Sequence, residues 1–194
     1  MKKIGLTGGI GSGKSIVCDI IKIIGYPVFN SDDEAKLLMT NNNSVVQQVK
    51  SVFGEEAYDG NSLNRTFLAK KIFNDENLKS ELNKIVHPAV RSAFDSWAEQ
   101  QKKSLVFNEA AILFETGAYK SFDYTILLTA PKDIRVSRVT NRDNTTIEEV
   151  QQRMNNQWED DVKKALATYV INNDNTTLVT PQVLSMLEYL DKVI

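Results

Sequence analysis

The run Gly8-Gly9-Ile10-Gly11-Ser12-Gly13-Lys14-Ser15 carries the residue types that hold a polyphosphate. Glycines let a backbone curl until several N–H groups point inward at phosphate oxygens. A helix opening at Lys14 would add orphan N–H donors and the positive end of its dipole. In the pattern G-x-x-x-x-G-K-[ST], Lys14 neutralises charge on the β- and γ-phosphates and the Ser15 hydroxyl ligates Mg²⁺. The N–H of Ile16 is expected to reach an α-phosphate. Gly8, Gly9, Gly11, Ser12, Gly13, Lys14, Ser15 and Ile16 are thus the candidate nucleotide cradle. The alternative is a glycine-rich turn that merely joins a strand to a helix. The dinucleotide pattern G-x-G-x-x-G fails, because Lys14 or Ile16 stands where its last glycine belongs.

A phosphate cradle fixes a ligand class and not a reaction. The chain has neither the N-K-x-D nor the D-x-x-G of a guanine-nucleotide switch. A small-molecule kinase needs a base near the acceptor hydroxyl, a substrate pocket and cations for the transferring phosphoryl group. Asp32 follows a short apolar run, so a parallel sheet would put it beside the phosphate loop as that base. It would also serve as a helix N-cap. Its neighbour Asp33 reads as a solvated acid of a first helical turn. Arg135, Arg138 and Arg142 fall at i, i+3 and i+7, one face of a helix, with Arg153 on the next helix. They suit a lid over the ATP phosphates, Arg142 foremost and Arg138 second, or else a solvated basic face. Glu109 ends another apolar run, where an acid holds Mg²⁺ through water, orients substrate, or faces solvent. His87, the sole histidine, precedes Pro88 and reads as a structural residue at a helix end. Cys18 reads as core.

The elements that must position these groups alternate between strand and helix. Ile4 to Thr7, Pro27 to Phe29, Leu105 to Phe107, Tyr124 to Leu128 and Tyr169 to Ile171 are short apolar runs that suit buried parallel strands. Val17, Ile20, Ile21 and Ile24 repeat at helical spacing until Gly25 stops them. Helices are expected from Ser31-Asp32, through most of 63–101, over 134–142 and 147–156, and from Pro181 onward. The expected fold is therefore α/β, a P-loop kinase fold with a parallel sheet flanked by helices. It is read as one domain. The core covers about 1–39, 102–131 and 167–194, a helical substrate-binding subdomain about 40–101, and a lid about 132–166.

The chain has 194 residues, 42% hydrophobic and 25% charged, with a net charge of −2. That balance disfavours disorder and a whole-chain nucleic-acid surface. One cysteine excludes an intrachain disulfide and a cysteine-based metal cage. No apolar run has the length of a membrane span, and no apolar core follows Met1-Lys2-Lys3 as a signal peptide requires. The expectation is a cytoplasmic protein, monomer or weak homo-oligomer, that binds neither membrane nor nucleic acid.

Beyond these separate signals, the order of motifs resembles the dephospho-CoA kinase family. The resemblance runs through Gly5-Leu-Thr-Gly-Gly-Ile-Gly-Ser-Gly-Lys14-Ser15, Val28-Phe-Asn-Ser-Asp32, Leu63-Asn-Arg65, Ile85-Val-His87-Pro88 and Ile112-Leu-Phe-Glu115. It continues in Arg138, Arg142, Arg153 and Gln157, and in Tyr169-Val-Ile171-Asn172. The resemblance implies transfer of a phosphoryl group from ATP, with Mg²⁺, to the ribose 3′-hydroxyl of dephospho-CoA, giving CoA and ADP. It puts Asp32 in the place of the catalytic base, with Ser15 on Mg²⁺ and Asp32 or Glu109 reaching the ion through water. It makes His87 a substrate-site residue, with Arg65 and Glu115 as weaker candidates beside Glu109, which its strand-end place already nominates, and gives Arg142 the lid role. Three positions depart from the family pattern: Asn30 for an Asp, Ala111 for a proline, and Arg135 for a frequent Gln.

Overall fold

The computed structural model describes residues 1–73 and 75–193. In chain order the elements are β1 (Lys2–Gly8), α1 (Lys14–Ile24), β2 (Val28–Asn30), α2 (Ser31–Asn41), α3 (Asn43–Phe53), β3 (Tyr58–Asp59) and β4 (Ser62–Leu63). There follow α4 (Arg65–Phe73), α5 (Glu76–Glu99), β5 (Leu105–Glu109), β6 (Tyr124–Thr129), α6 (Lys132–Asp143) and α7 (Ile147–Asn155). The chain closes with α8 (Asp160–Lys164), β7 (Tyr169–Asn172) and α9 (Val179–Val193).

Five strands form a sheet in the order β2-β5-β1-β6-β7. β1 pairs in parallel with both β5 and β6, and β6 with β7. The order reverses across β1, so the loop after β1 leaves the sheet at a switch point, where α/β sheets form their ligand crevice. The register sets Leu6 against Glu109 and Gly8 against Leu128. Every residue of β5 is buried, which explains its unbroken apolar character. Ile4, Leu6, Phe107, Ile126 and Leu128 of the sheet pack with Val17, Cys18 and Ile21 of α1 and with Val183, Met186 and Leu190 of α9. The α1 residues lie on one helical face. Gly25 ends that helix at φ 101°, its N–H returned to Ile21 and Lys22 carbonyls.

The chain separates into two compact units, Met1–Phe29 with Gln101–Ile194, and Asn30–Gln100. The helical unit thus begins at Asn30, so α2 belongs to it and not to the sheet unit, which also holds α6, α7 and α8. Its own core gathers Val45, Val49, Phe53, Tyr58 and Leu68. The two-residue strands β3 and β4 pair Tyr58 with Leu63 and Asp59 with Ser62 across Gly60-Asn61. So short a hairpin shows no alternation for a sequence to reveal, and it was not among the expected elements.

Two local expectations are corrected. His87-Pro88 lies well inside the 24-residue α5 and not at a helix end. Proline removes one backbone donor there, and α5 continues past it. The N-cap of α2 is neither Ser31 nor Asp32 but Asn30, whose side chain accepts from Asp33 N–H at 2.9 Å. Asp32 sits in the first turn of α2. Asn30→Ala should lower stability by about 1 kcal/mol, read from the urea midpoint, while Asn30→Asp should hold it; an unmoved midpoint in the alanine variant would refute the cap's contribution.

Candidate active site

The phosphate loop joins β1 to α1. Gly13 caps α1 in the left-handed region at φ 97°, where a side chain would be strained. Gly11 has φ 80°, and a Cβ there would stand 2.6 Å from the Arg135 carbonyl oxygen. Lys14 Nζ donates to the Gly8 carbonyl at 3.1 Å and lies 3.7 Å from Glu109 Oε1. Glu109 is buried, which overturns the solvent-facing alternative. The strand runs on to include it because its register partner Leu6 is still inside the sheet. Behind this pair, burial first and the Glu109 carboxylate second push the Cys18 thiol up to about 12. Cys18 is therefore protonated core at neutral pH. Ser12 Oγ is buried with no hydrogen-bond partner among the described residues, a polar atom that suits a phosphate oxygen.

Residues distant in sequence hold the loop from outside. Arg138 Nη1 donates to the Gly11 carbonyl at 3.2 Å, and its Nη2 donates to the Asn173 carbonyl at 3.0 Å. Asn173 Nδ2 in turn donates to the Ser12 carbonyl at 2.8 Å. On the other limb, Gln157 Oε1 accepts from Ile10 N–H at 2.8 Å. Asn173 follows the last strand and has no motif of its own; only its place after β7 would have drawn attention to it.

Helices α6 and α7 carry the arginines. Asp143, at the end of α6, accepts from Arg142 Nε at 2.7 Å and from Arg153 Nη1 at 2.9 Å. This hydrogen-bonded ion pair raises the Arg142 pKa and lowers that of Asp143. Arg142 and Arg153 line a cavity of about 290 Å³ with Ile10, Gly11, Lys14 and Gln157. The structure thus brings Lys14, Arg142 and the loop to one cavity and adds Arg153. The three arginines of α6 have separate surroundings: Arg142 is exposed at the cavity, Arg138 is engaged with backbone, and Arg135 is buried.

Arg135 belongs to a buried charged group. Its Nη1 lies 3.7 Å from Asp160 Oδ1, and Lys163 Nζ lies 3.2 Å from Glu115 Oε1 and 3.9 Å from Asp160. Glu115 Oε1 also accepts from Trp158 N–H at 3.0 Å. Two cations and two anions balance, so none is buried without an opposite charge. Glu115, a substrate candidate by sequence, has one carboxylate oxygen engaged in pinning α8 to the segment after β5.

The helical unit holds Asp32, Arg65 and His87. Asp32 and Asp33 stand in the first turn of α2, with Asp33 exposed and paired to Lys36 at 2.7 Å. Arg65 is exposed at the start of α4, where Asn64 Oδ1 accepts from Phe67 N–H. His87 is half-buried. Burial first and the Arg91 charge second lower its pKa, and Arg91 lies one helical turn on. The spacing of four from His87 was the only sequence signal for Arg91.

Among the described residues no group of three His, Cys, Asp or Glu side chains is built to hold a metal. The donors at the loop are the oxygens of Ser15 and Glu109, which suit Mg²⁺ arriving with phosphate and water ligands. A family model for dephospho-CoA kinase matches residues 2–178. The chain belongs to the dephospho-CoA kinase family. It is 36% identical over 189 residues to a dephospho-CoA kinase of Bacteroides fragilis, covering 97% of this chain and 92% of that protein. A Thermus thermophilus protein of known crystal structure superposes with a TM-score of 0.87 at 32% identity, covering 97% and 96% of the two chains. Dephospho-CoA kinase from Campylobacter jejuni superposes at 0.68 with 23% identity over 98% and 97%, a likeness of fold.

The depressed pKa of His87 has a stability consequence. The unfolded chain takes up a proton near pH 6.5, and the folded chain resists it until lower pH. Stability therefore rises with pH through that window and is lost as pH falls below about 6.5. Urea midpoints at pH 7.5 and 5.5 should fall further for the natural chain than for His87→Gln; equal losses would remove His87 as the source.

Proposed function

We propose that this chain phosphorylates the ribose 3′-hydroxyl of dephospho-CoA with ATP, giving CoA and ADP, the last step of coenzyme A synthesis. The observation that carries the reading is the meeting of Lys14, Arg142 and the phosphate loop at one cavity in a chain of this family. ATP lies along the loop from Gly8 to Ile16, with its phosphates on the first-turn N–H groups of α1. Mg²⁺, when bound through Ser15 and through water to Asp32 or Glu109, screens charge on the β- and γ-phosphate oxygens. Lys14 exchanges its contact with the Gly8 carbonyl for phosphate oxygens. Asp32 accepts the proton of the 3′-hydroxyl as that oxygen bonds to the γ-phosphorus and the bond to the β-phosphate oxygen breaks. Arg142 stabilises the transferring group from the lid side, and Arg138 keeps the loop in register beside it. His87 and Arg65, with Glu109 and Glu115, orient the acceptor.

The base role of Asp32 is supported by its place in the matching motif and in the first turn of α2, directly after β2. The cytoplasm is the proposed site of action. No helix among the described residues is long and apolar enough to cross a membrane.

ADP release from ATP and Mg²⁺ should depend on dephospho-CoA, with CoA appearing in equal amount. Release with adenosine monophosphate in its place would move the protein to the nucleotide kinases. ATP binding without release would make it a non-catalytic regulator. Asp32→Asn should lower turnover on the order of 10²–10⁴-fold, the range for loss of a general base, and keep ATP affinity. Full turnover in that variant would end the assignment.

A further inference from the structure

We infer that Gln157 is a positioning residue that sets how the lid arginines and Lys14 stand around the phosphate loop. The inference rests on the kinase reading above. Gln157 lies two residues beyond α7 and uses both ends of its amide. Oε1 accepts from Ile10 N–H at 2.8 Å, and Nε2 donates to the Ala111 carbonyl at 3.0 Å. Neither partner belongs to its own helix; they lie 147 and 46 residues away in sequence. A polar residue that merely ended α7 would bond to the last turn of that helix or to water.

The two partners matter because of what adjoins them. Ile10 precedes Gly11, whose carbonyl accepts from Arg138 of α6. The helix pair α6–α7 is therefore fastened to adjacent residues of the loop at two points, one on each helical arm. Between those points it carries Arg142 and Arg153, both tied to Asp143 and both facing the cavity that Lys14 enters. Ala111 stands two residues after Glu109, the carboxylate beside Lys14 Nζ. One side-chain amide thus joins three things: the loop that holds the phosphates, the strand end that holds the partner of the lysine, and the lid that holds the arginines. The bonds to Glu115 by Trp158 and Lys163 fasten the next residues to the segment after β5 but do not reach the loop. Only an amide of this length supplies an acceptor to one partner and a donor to the other. A carboxylate would face the Ala111 carbonyl with negative charge, and an apolar side chain would leave both groups unpaired.

The test uses the whole enzyme with Gln157→Met, similar in length and apolar, and Gln157→Glu. In the methionine variant kcat should fall about tenfold, the worth of lost hydrogen bonds at this site. The KM for ATP should change less than about threefold, since the loop residues that meet the nucleotide remain. ADP should be released in excess over CoA, because misplaced lid arginines let water compete with the acceptor. The glutamate variant keeps the bond from Ile10 and lacks the donor to Ala111. Its activity relative to the natural enzyme should rise as pH falls from 7 to 5, as protonation begins to restore that donor near the ordinary carboxylate range of about 4.3. A merely structural residue would lower the melting temperature and move neither the pH ratio nor the ADP-to-CoA ratio; that outcome overturns the inference. Amide hydrogen exchange at Ile10 provides a readout independent of any acceptor. It should quicken in the methionine variant and stay slow in the glutamate variant, and equal rates in all three proteins overturn the inference. If the natural protein ignores dephospho-CoA while Ile10 exchange responds as stated, the substrate reading falls and the positioning role of Gln157 stands.

Discussion

A glycine-rich loop holds phosphate only while its backbone keeps one curl, and glycine brings no stiffness of its own. In this protein the stiffness is supplied by hydrogen bonds to the outer side of the loop. Gln157 takes the Ile10 N–H, Arg138 donates to the Gly11 carbonyl, and Asn173 donates to the Ser12 carbonyl. Three successive residues are thus fixed by side chains from three later parts of the chain. The inner side is left to nucleotide, and the buried Ser12 hydroxyl is a polar group that a phosphate oxygen satisfies.

Electrostatics divides along the same line. Charges that hold the framework are buried and balanced: Arg135 and Lys163 against Asp160 and Glu115. In a low-dielectric interior such groups must be paired, and pairing keeps them immobile. Charges suited to a moving phosphoryl group are more exposed: Arg142 and Arg153 share Asp143 at the cavity. Exposed pairs of this type are held weakly, so a phosphate competes for them at small cost. Lys14 is intermediate, shielded, paired with Glu109 at 3.7 Å and donating to the Gly8 carbonyl.

Much of the sheet unit was legible in the sequence. The phosphate loop declared itself by glycine spacing, α1 by its apolar repeat ended at Gly25, and the buried strands by unbroken apolar runs. The helical unit was less legible. Its start at Asn30 is set by packing of α2 against its own helices, which no breaker residue announces. Ser31 and Asp32 are good caps, yet Asn30 occupies the position because the strand ends there. His87-Pro88 looked like a helix end, since proline costs a helical hydrogen bond, but α5 continues on both sides. The arginines of α6 were legible in part, with Arg142 read as the foremost lid residue and Arg138 as the second. Spacing put them on one helical face, while their different depths in the fold gave one to a buried ion pair, one to the loop backbone and one to the cavity.

The sequence by itself determined the ligand class, the strand–helix alternation and the family, because those depend on local residue types at fixed spacing. Only the tertiary structure decided which polar side chains face the loop. Gln157 and Asn173 act across more than a hundred residues of chain, and hydrogen bonds of that range follow from how strands and helices stack, which short-range spacing does not encode.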